Sequence, residues 1–211
     1  MVPGSQCSNA ARWHAAISLT LLALLPATLA RGAEFERLEV TEDSGIYRIE
    51  ASIVVTAPSE AVVGALLDFD GQKAIKPPFK EVKVVGTVPD GGTLVQIVTE
   101  ICIGPFCASV KQTEIVRFVP PNLISATALP DGGDVKSGYT AAEVSAKDGR
   151  TRLRIDCTVQ PSRRRPFFVP RGLLLNALRR QVRQSAAGIE ALALKIASRK
   201  EPSRATSGAP D

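Results

Sequence analysis

Residues 170–197, PRGLLLNALRRQVRQSAAGIEALALKIA, predict a single long helix, and this helix decides the fold. Apolar or small side chains recur every three or four positions within it and therefore form one stripe along the helix. The stripe consists of Leu174, Leu178, Val182, Ser185, Ile189, Leu192 and Ile196. At a rise of ~1.5 Å per residue the helix spans about 40 Å, so it needs a broad apolar surface to lie on.

The chain before this helix predicts that surface, an antiparallel sheet of about seven strands. Residues 47–56 alternate apolar with polar side chains, which predicts a strand with one buried face, and residues 59–75 predict two short helices after it. Short turns containing Gly, Pro, Asp or Asn separate the further strands, at residues 79–87, 93–103, 106–119, 123–129, 135–146 and 151–160. Such turns join antiparallel neighbours. The predicted class is α+β, with a curved sheet wrapped on the long helix.

Residues 1–30 predict a secretory signal peptide. Arg12 precedes an apolar run at 15–25, and small residues then provide a cleavage site after Ala30, with Ala33 as the second choice. An uncleaved anchor is the alternative, although the run is shorter than the ~20 residues that span a bilayer. We therefore expect a secreted, periplasmic protein.

The chain after the signal peptide is organised as a lead-in at residues 31–45, one domain at 46–198 and a disordered tail at 199–211. A formal net charge of +5 over 211 residues is too small to indicate nucleic acid as a partner. His14, the one histidine, lies in the signal peptide, and no nucleophile–base motif is evident. The sequence therefore predicts no catalytic residue, metal site or cofactor, and it gives no oligomeric state.

Four stretches carry a resemblance to a known family: 53–63 (IVVTAPSEAVV), 67–70 (LDFD), 76–79 (KPPF) and 167–170 (FFVP). Together with the order of the elements, they resemble the START-like, helix-grip superfamily of lipid-transfer proteins, polyketide cyclases and coenzyme Q-binding proteins. The resemblance covers residues 47–197. It implies the helix-grip fold and an apolar or amphipathic ligand, of lipid, isoprenoid or quinone type, held between sheet and helix. It carries over no catalytic motif.

Inward-facing apolar residues of the sheet and the helix are the candidate lining of a ligand cavity, because ligand pockets are mostly apolar. The chain has only seven Phe and two Tyr, and small residues such as Ala126 and Ala142 occupy positions where larger side chains would fill the space between sheet and helix. A filled core is the alternative, since protein interiors leave few voids. The predicted lining residues are Ile49, Ile53, Ile97, Leu153, Ile155, Leu178 and Val182.

Cys102 and Cys107 flank the apex of the longest predicted hairpin and predict a disulfide. Opposed positions across a hairpin bring Cβ atoms to roughly 4.5–5.5 Å, from which a small adjustment reaches disulfide geometry. A secreted chain also meets an oxidising compartment. Free, partly buried thiols are the alternative. Cys157 lies on the apolar face of its strand, and we expect it to be a small buried hydrophobe.

Arginines and phenylalanines around the start of the long helix form a candidate surface for an anionic membrane, where a lipid would pass the cavity mouth. The residues before the helix are Arg163, Arg164, Arg165, Phe167 and Phe168. Along the helix the arginines are Arg171, Arg179, Arg180 and Arg183. The alternative is a solvated helix face, preceded by Pro and Phe residues that only dock the start of the helix.

Three functions remain open. The main hypothesis is non-enzymatic binding or transport of an apolar or amphipathic small molecule. The second is a cyclase- or hydrolase-like enzyme, which requires Glu100, Glu114 or Glu143 to face the cavity, where burial would raise the pKa of the carboxyl. The simpler alternative for these carboxylates is a position on the outer sheet face. The third is a protein-interaction module with a filled core, acting through its arginine-rich face with strong salt dependence.

Overall fold

The structure is a computed structural model that describes residues 32–162 and 169–200, without the side chain of Lys200. Residues 1–31, which include the predicted signal peptide at 1–30, together with residues 163–168 and 201–211, lie outside the described residues. The elements in order are β1 (Glu34–Asp43), β2 (Ile46–Val55), α1 (Ser59–Leu67), α2 (Phe69–Gln72), β3 (Phe79–Thr87), β4 (Thr93–Ile103), β5 (Phe106–Val119), β6 (Leu123–Ala128), β7 (Val135–Lys147), β8 (Arg150–Pro161) and α3 (Arg171–Lys200).

The strands form one antiparallel sheet of eight strands in the order β1-β2-β8-β7-β6-β5-β4-β3. This confirms the predicted class and the helix-grip arrangement, with one strand more than expected. The additional strand is β1, which occupies most of the segment predicted as a lead-in. As a result, α1 and α2 follow the second strand instead of the first.

Strand β1 is rich in charged residues, and for this reason its sequence resembled a lead-in. Its outward-facing acidic residues form ion pairs with arginines of β8. Glu34 Oε2 is 2.9 Å from Arg150 Nη1, and Glu36 Oε2 is 3.1 Å from Arg152 Nε. On the other face, Val40 is only 1% exposed. This edge strand therefore carries Val40 on its inward face and the ion-paired Glu34 and Glu36 on the opposite face.

Helix α3 begins one residue after Pro170 and agrees closely with its prediction. It contacts α1, the edge strand β1 and, near the other edge of the sheet, β4. Gly188 shows how tightly the second half of the helix packs, since a Cβ there would clash with Ile75 Cγ2. No helix among residues 32–162 and 169–200 combines the length and the apolar character needed to cross a membrane.

Arginine side chains in the first half of α3 hold the helix to the sheet. Arg179 Nη2 donates to the Val40 carbonyl on β1 at 3.1 Å, and Arg180 Nη2 donates to the Cys102 carbonyl on β4 at 3.1 Å. Arg171 Nε lies 2.9 Å from Glu42 Oε2. Part of the arginine-rich face predicted for membranes or partners therefore contacts the sheet, although Arg171, Arg180 and Arg183 are all exposed.

The interior contains two regions with different packing. We call the first the packed core; its side chains are almost completely buried and include Ala51, Ile53, Val55, Val62, Ala65, Val144, Leu153, Ala186, Ile189 and Ala193. We call the second the open region; its residues lie on the same inward faces but remain half-buried, and they include Tyr47, Ile49, Gln112, Glu114, Thr140, Ile155, Cys157, Leu178, Gln181 and Val182. Solvent therefore reaches the inward face of the sheet in the open region and not in the packed core.

Candidate functional site

The seven residues predicted to line a cavity fall into these two regions. Ile53, Ile97 and Leu153 belong to the packed core and are at most 8% exposed. The other four belong to the open region: Ile49, Ile155, Leu178 and Val182. All seven have the inward orientation that the sequence periodicity indicates, and only the tertiary packing separates one group from the other.

Strand register places Glu114 on the inward face of the sheet. Its Cα partners are Val95 on β4 and Ala128 on β6, which are 0% and 9% exposed, and Val116 on the same face of β5 is 6% exposed. Gln112 Nε2 donates to Glu114 Oε2 at 3.1 Å. Burial raises the pKa of the Glu114 carboxyl to about 7, and the hydrogen bond from Gln112 opposes this increase only in part. Near neutral pH the carboxyl therefore exists in both protonation states.

Cys157 on β8 shares this part of the interior with Glu114. Thr140 Oγ1 donates to Cys157 Sγ at 3.3 Å across the β7–β8 pair. Burial raises the pKa of the Cys157 thiol, the Thr140 hydrogen bond lowers it, and the nearby Glu114 raises it further. The thiol stays protonated under these influences, which suits the predicted buried hydrophobe and not a nucleophile.

Gln181 on α3 contributes a polar atom that the sequence reasoning missed. Its Oε1 is buried and has no hydrogen-bond partner among the described residues. Gln181 lies four positions after the buried Ala177 and four before the half-buried Ser185, so it shares their side of the helix. The one sequence signal was a polar residue next to Val182 in the apolar stripe. Because buried acceptors are normally paired, this atom calls for a hydrogen-bond donor.

The other two candidate carboxylates lie away from the interior. Glu143 is exposed and pairs in register with Arg154 on β8. Glu100 forms an ion pair with Lys80, opposite Ser109 on β5. Of the three carboxylates considered, Glu114 alone meets the requirement of the enzyme hypothesis.

Cys102 and Cys107 are Cα partners at the end of the β4–β5 hairpin, and their Sγ atoms are bonded at 2.09 Å. Glu100 lies close enough to complete a set of potential metal ligands with them. A sulfur engaged in a disulfide is not the thiolate that binds metals, so this set does not suit a metal in the oxidised protein. Phe106, at the tip of the hairpin, is 76% exposed.

The predicted membrane or partner surface lies outside the described residues, and that prediction stays untested. It consists of Arg163, Arg164, Arg165, Phe167 and Phe168.

A groove of about 520 Å³ lies between the start of α1 and the β6–β7 side of the sheet, with Val63, Phe118 and Asn122 in its wall. It contains one carboxylate, Glu60, and is separate from the open region.

Comparisons with known proteins agree on the fold. Residues 47–194 match the sequence model of the family described as polyketide cyclase/dehydrase and lipid transport. A search of curated proteins by sequence finds no match.

Among solved structures, TTHA0849 from Thermus thermophilus is 19% identical with a TM-score of 0.60, over 71% of this chain and 98% of that one. A START superfamily protein from Mycobacterium smegmatis is 16% identical with a TM-score of 0.54, over 71% and 98%. An aromatase/cyclase from a Streptomyces species is 19% identical with a TM-score of 0.54, over 78% and 99%. At these identities the similarity establishes the shared fold.

Proposed function

The chain belongs to the polyketide cyclase/dehydrase and lipid transport family, and on that premise we propose that it binds or carries an amphipathic, lipid-like molecule in the open region between the sheet and α3. The observation that carries this proposal is the half-buried state of inward residues such as Ile49, Ile155 and Val182, beside a fully buried core on the same strands and helix. Apolar side chains that face inward and still contact solvent offer a surface that an apolar ligand can cover.

The physical basis of affinity is burial of the ligand's apolar body. Each CH2 group moved from water into contact with Ile49, Ile155, Leu178 and Val182 contributes about 0.8 kcal/mol before ordering costs. Binding of this kind requires no catalytic residue, metal or cofactor. It agrees with the inert, protonated state of Cys157, the described thiol that is not in a disulfide.

We further propose that the protein acts after export, in the periplasm. The support is the signal-peptide pattern of residues 1–30 and the pairing of Cys102 with Cys107, which an oxidising compartment favours. The test is expression of the full chain with its own N-terminus, followed by mass measurement of the periplasmic product. We expect a mature protein beginning at Arg31 with a single free thiol; a full-length mass in the cytoplasmic fraction would reject export.

The test of ligand binding is native mass spectrometry with organic extraction on the exported protein. We expect a bound apolar molecule of defined mass, which Val182→Glu removes because a charge on the inward stripe of α3 disfavours an apolar ligand. Leu194→Glu is the matched control, since Leu194 on the same helix is 43% exposed. An apo mass, with no uptake from a mixture of lipids and quinones, would reject the proposal.

A second candidate function is a cyclase-like enzyme with Glu114 as its acid–base group. The specific observation in its favour is the inward position of Glu114, with a pKa of about 7 that suits proton transfer near neutrality. The test is turnover of a poly-β-ketone analogue by wild type and by Glu114→Gln. Turnover that falls about 100-fold or more in the variant would support the enzyme, and no turnover by wild type would reject it.

A further inference from the structure

We propose that the end of the β4–β5 hairpin, residues 101–110, docks on an anionic lipid bilayer and inserts the Phe106 side chain into it. These ten residues are called the hairpin end below. The proposal goes beyond ligand binding, because binding of an apolar molecule by itself requires no membrane surface. It also concerns residues other than the surface predicted at 163–168.

The hairpin end extends beyond the strands on either side of it. Strand β3 pairs with β4 only as far as Thr99, and β6 pairs with β5 only from Glu114 onward. Further out, the Cα partners of β4 and β5 lie only in each other, up to the pair formed by Ile103 and Phe106. Among the described strands the hairpin end is therefore a two-stranded ribbon, which is marginally stable by itself.

Two contacts hold the hairpin end in place. The Cys102–Cys107 disulfide joins its two strands, and Arg180 Nη2 of α3 donates to the Cys102 carbonyl at 3.1 Å. Because these contacts fix its conformation before it meets a partner, the hairpin end loses little conformational entropy on docking.

The hairpin end is uncharged and carries an exposed aromatic side chain. No charged residue occurs between Glu100 and Lys111. Phe106 follows the turn at Gly104 and Pro105 and is 76% exposed, the highest value among the large hydrophobic side chains of the described residues. An aromatic ring in this position is stabilised when it moves from water into an apolar medium.

Charges of the sheet at the base of the hairpin end balance one another. Lys80 Nζ forms an ion pair with Glu100 and donates to Ser109 Oγ at 3.2 Å. The Asp134 carboxylate lies beside Lys111, whose backbone N–H donates to it at 3.0 Å. On the sheet, an anionic surface therefore meets no excess of negative charge.

Helix α3 adds an excess of positive charge next to the hairpin end. Arg180 contacts the hairpin, Arg183 follows one turn later, and both side chains are exposed. Glu190, the one carboxylate of the helix, is only 4% exposed and accepts from Thr56. The exposed face of α3 therefore carries cations without a carboxylate, and these cations attract the phosphate groups of anionic lipids.

The shape of this surface fits a bilayer better than a protein partner. A specific protein interface buries at least about 1,000 Å² in total, with several side chains packed into facing pockets. The hairpin end offers one protruding aromatic side chain instead. A bilayer accepts a single inserted side chain because it is a continuous apolar medium, while its headgroups bind the neighbouring arginines.

The experiment measures binding of the full exported protein to vesicles by co-sedimentation. The vesicles consist of phosphatidylcholine alone or of an equal mixture with phosphatidylglycerol. We expect binding at least about tenfold tighter to the anionic vesicles, with a smaller difference at high salt. Phe106→Ser should weaken binding to the anionic vesicles about tenfold. Arg183→Gln should weaken it about fivefold and leave binding to the neutral vesicles unchanged.

Tyr139→Ser is the matched control, because Tyr139 is an aromatic residue that is 50% exposed on the outer face of β7. This variant should bind like wild type. Wild-type protein that binds both kinds of vesicle equally, or not at all, would overturn the inference. An equal loss of binding in Phe106→Ser and Tyr139→Ser would overturn it as well.

Phe106→Trp tests insertion at this position directly. It introduces the only tryptophan of the mature chain, because Trp13 lies in the predicted signal peptide. We expect its emission maximum to shift to shorter wavelength on anionic vesicles, and an unchanged maximum would overturn the insertion. Dimerisation that Phe106→Ser abolishes, without vesicle binding by wild type, would also overturn the inference and assign the hairpin end to a second copy of the chain.

Discussion

Buried polar side chains of the packed core are hydrogen-bonded to other elements, whereas the open region contains one buried acceptor that has no partner among the described residues. In the packed core, Thr151 Oγ1 donates to the Ala57 carbonyl at 2.7 Å, and the backbone N–H and hydroxyl of Thr56 both donate to Glu190 Oε1 at 2.9 Å. In the open region, Gln181 Oε1 has no partner among the described residues.

The contrast indicates different roles for the same kinds of residue. Polar groups of the packed core fasten elements together: Glu190 joins α3 to the residue that follows β2, and Thr151 joins β8 to the start of the loop before α1. In the open region, Gln181 Oε1 joins no two elements and reduces stability, because an unpaired buried acceptor loses its hydration. A group kept at the expense of stability is a candidate for binding.

The largest expected effect is a loss of stability that differs between two positions on β8. Leu153→Ala should lower the free energy of unfolding by about 2–5 kcal/mol, because it leaves a cavity in the packed core. Ile155→Ala, two residues further along the same face, should cost about 1 kcal/mol, because solvent already reaches that side chain. Urea denaturation measures both values. Equal losses would show that the two regions are packed alike.

The second effect is a pH dependence of stability that arises in the open region. The pKa of Glu114 rises from 4.5 in the unfolded chain to about 7 in the folded protein, so the folded state binds more protons between these values. The free energy of unfolding should therefore fall by up to about 3 kcal/mol as the pH rises from 4.5 to 7. Glu114→Gln should flatten this part of the profile. An unchanged slope would place Glu114 in solvent.

The third effect concerns the Cys102–Cys107 disulfide at the end of the hairpin that Arg180 contacts. The double substitution Cys102→Ser and Cys107→Ser should lower stability by about 2 kcal/mol, since the bond closes a short loop. Wild type treated with a reducing agent should lose the same amount. A thiol count of three in the native exported protein, instead of one, would contradict the pairing.

The smallest expected effects are changes in stability when a polar side chain of either region is replaced. Thr56→Val removes one hydrogen bond to Glu190 and should cost about 1 kcal/mol, whereas Thr56→Ser, which keeps the hydroxyl, should cost less. Gln181→Leu removes an unpaired acceptor and should change stability by less than about 0.5 kcal/mol, or increase it. A loss above about 1 kcal/mol for Gln181→Leu would show that the amide has a structural partner.

The order of the elements could be read from the sequence because its signals are local. Alternation of apolar and polar residues marks β2 and β8, turn residues separate the strands, and the apolar stripe places α3 within one residue of its observed start. Strand β1 was not fully predicted, because its acidic residues resemble those of a loop when only neighbouring positions are considered. In the fold, Glu34 and Glu36 form ion pairs with Arg150 and Arg152, more than a hundred positions away.

The site could be predicted only as a set of candidates. Both faces of β5 carry apolar residues, with Ile115 beside Val116, so alternation alone did not show which way Glu114 points. Among the arginines of α3, Arg179 and Arg180 were expected at a solvent or membrane surface, and their contacts with the carbonyls of β1 and β4 depend on where the sheet edges lie.

The sequence by itself determined the family, the α+β class and the residues that face inward, because periodicity and turn chemistry act over a few neighbouring positions. Only the tertiary structure decided which inward residues are packed and which remain open, and that Glu114 and Gln181 belong to the open region. The physical reason is that burial and pKa depend on every element that surrounds a side chain. Those elements come together only when the sheet closes on α3.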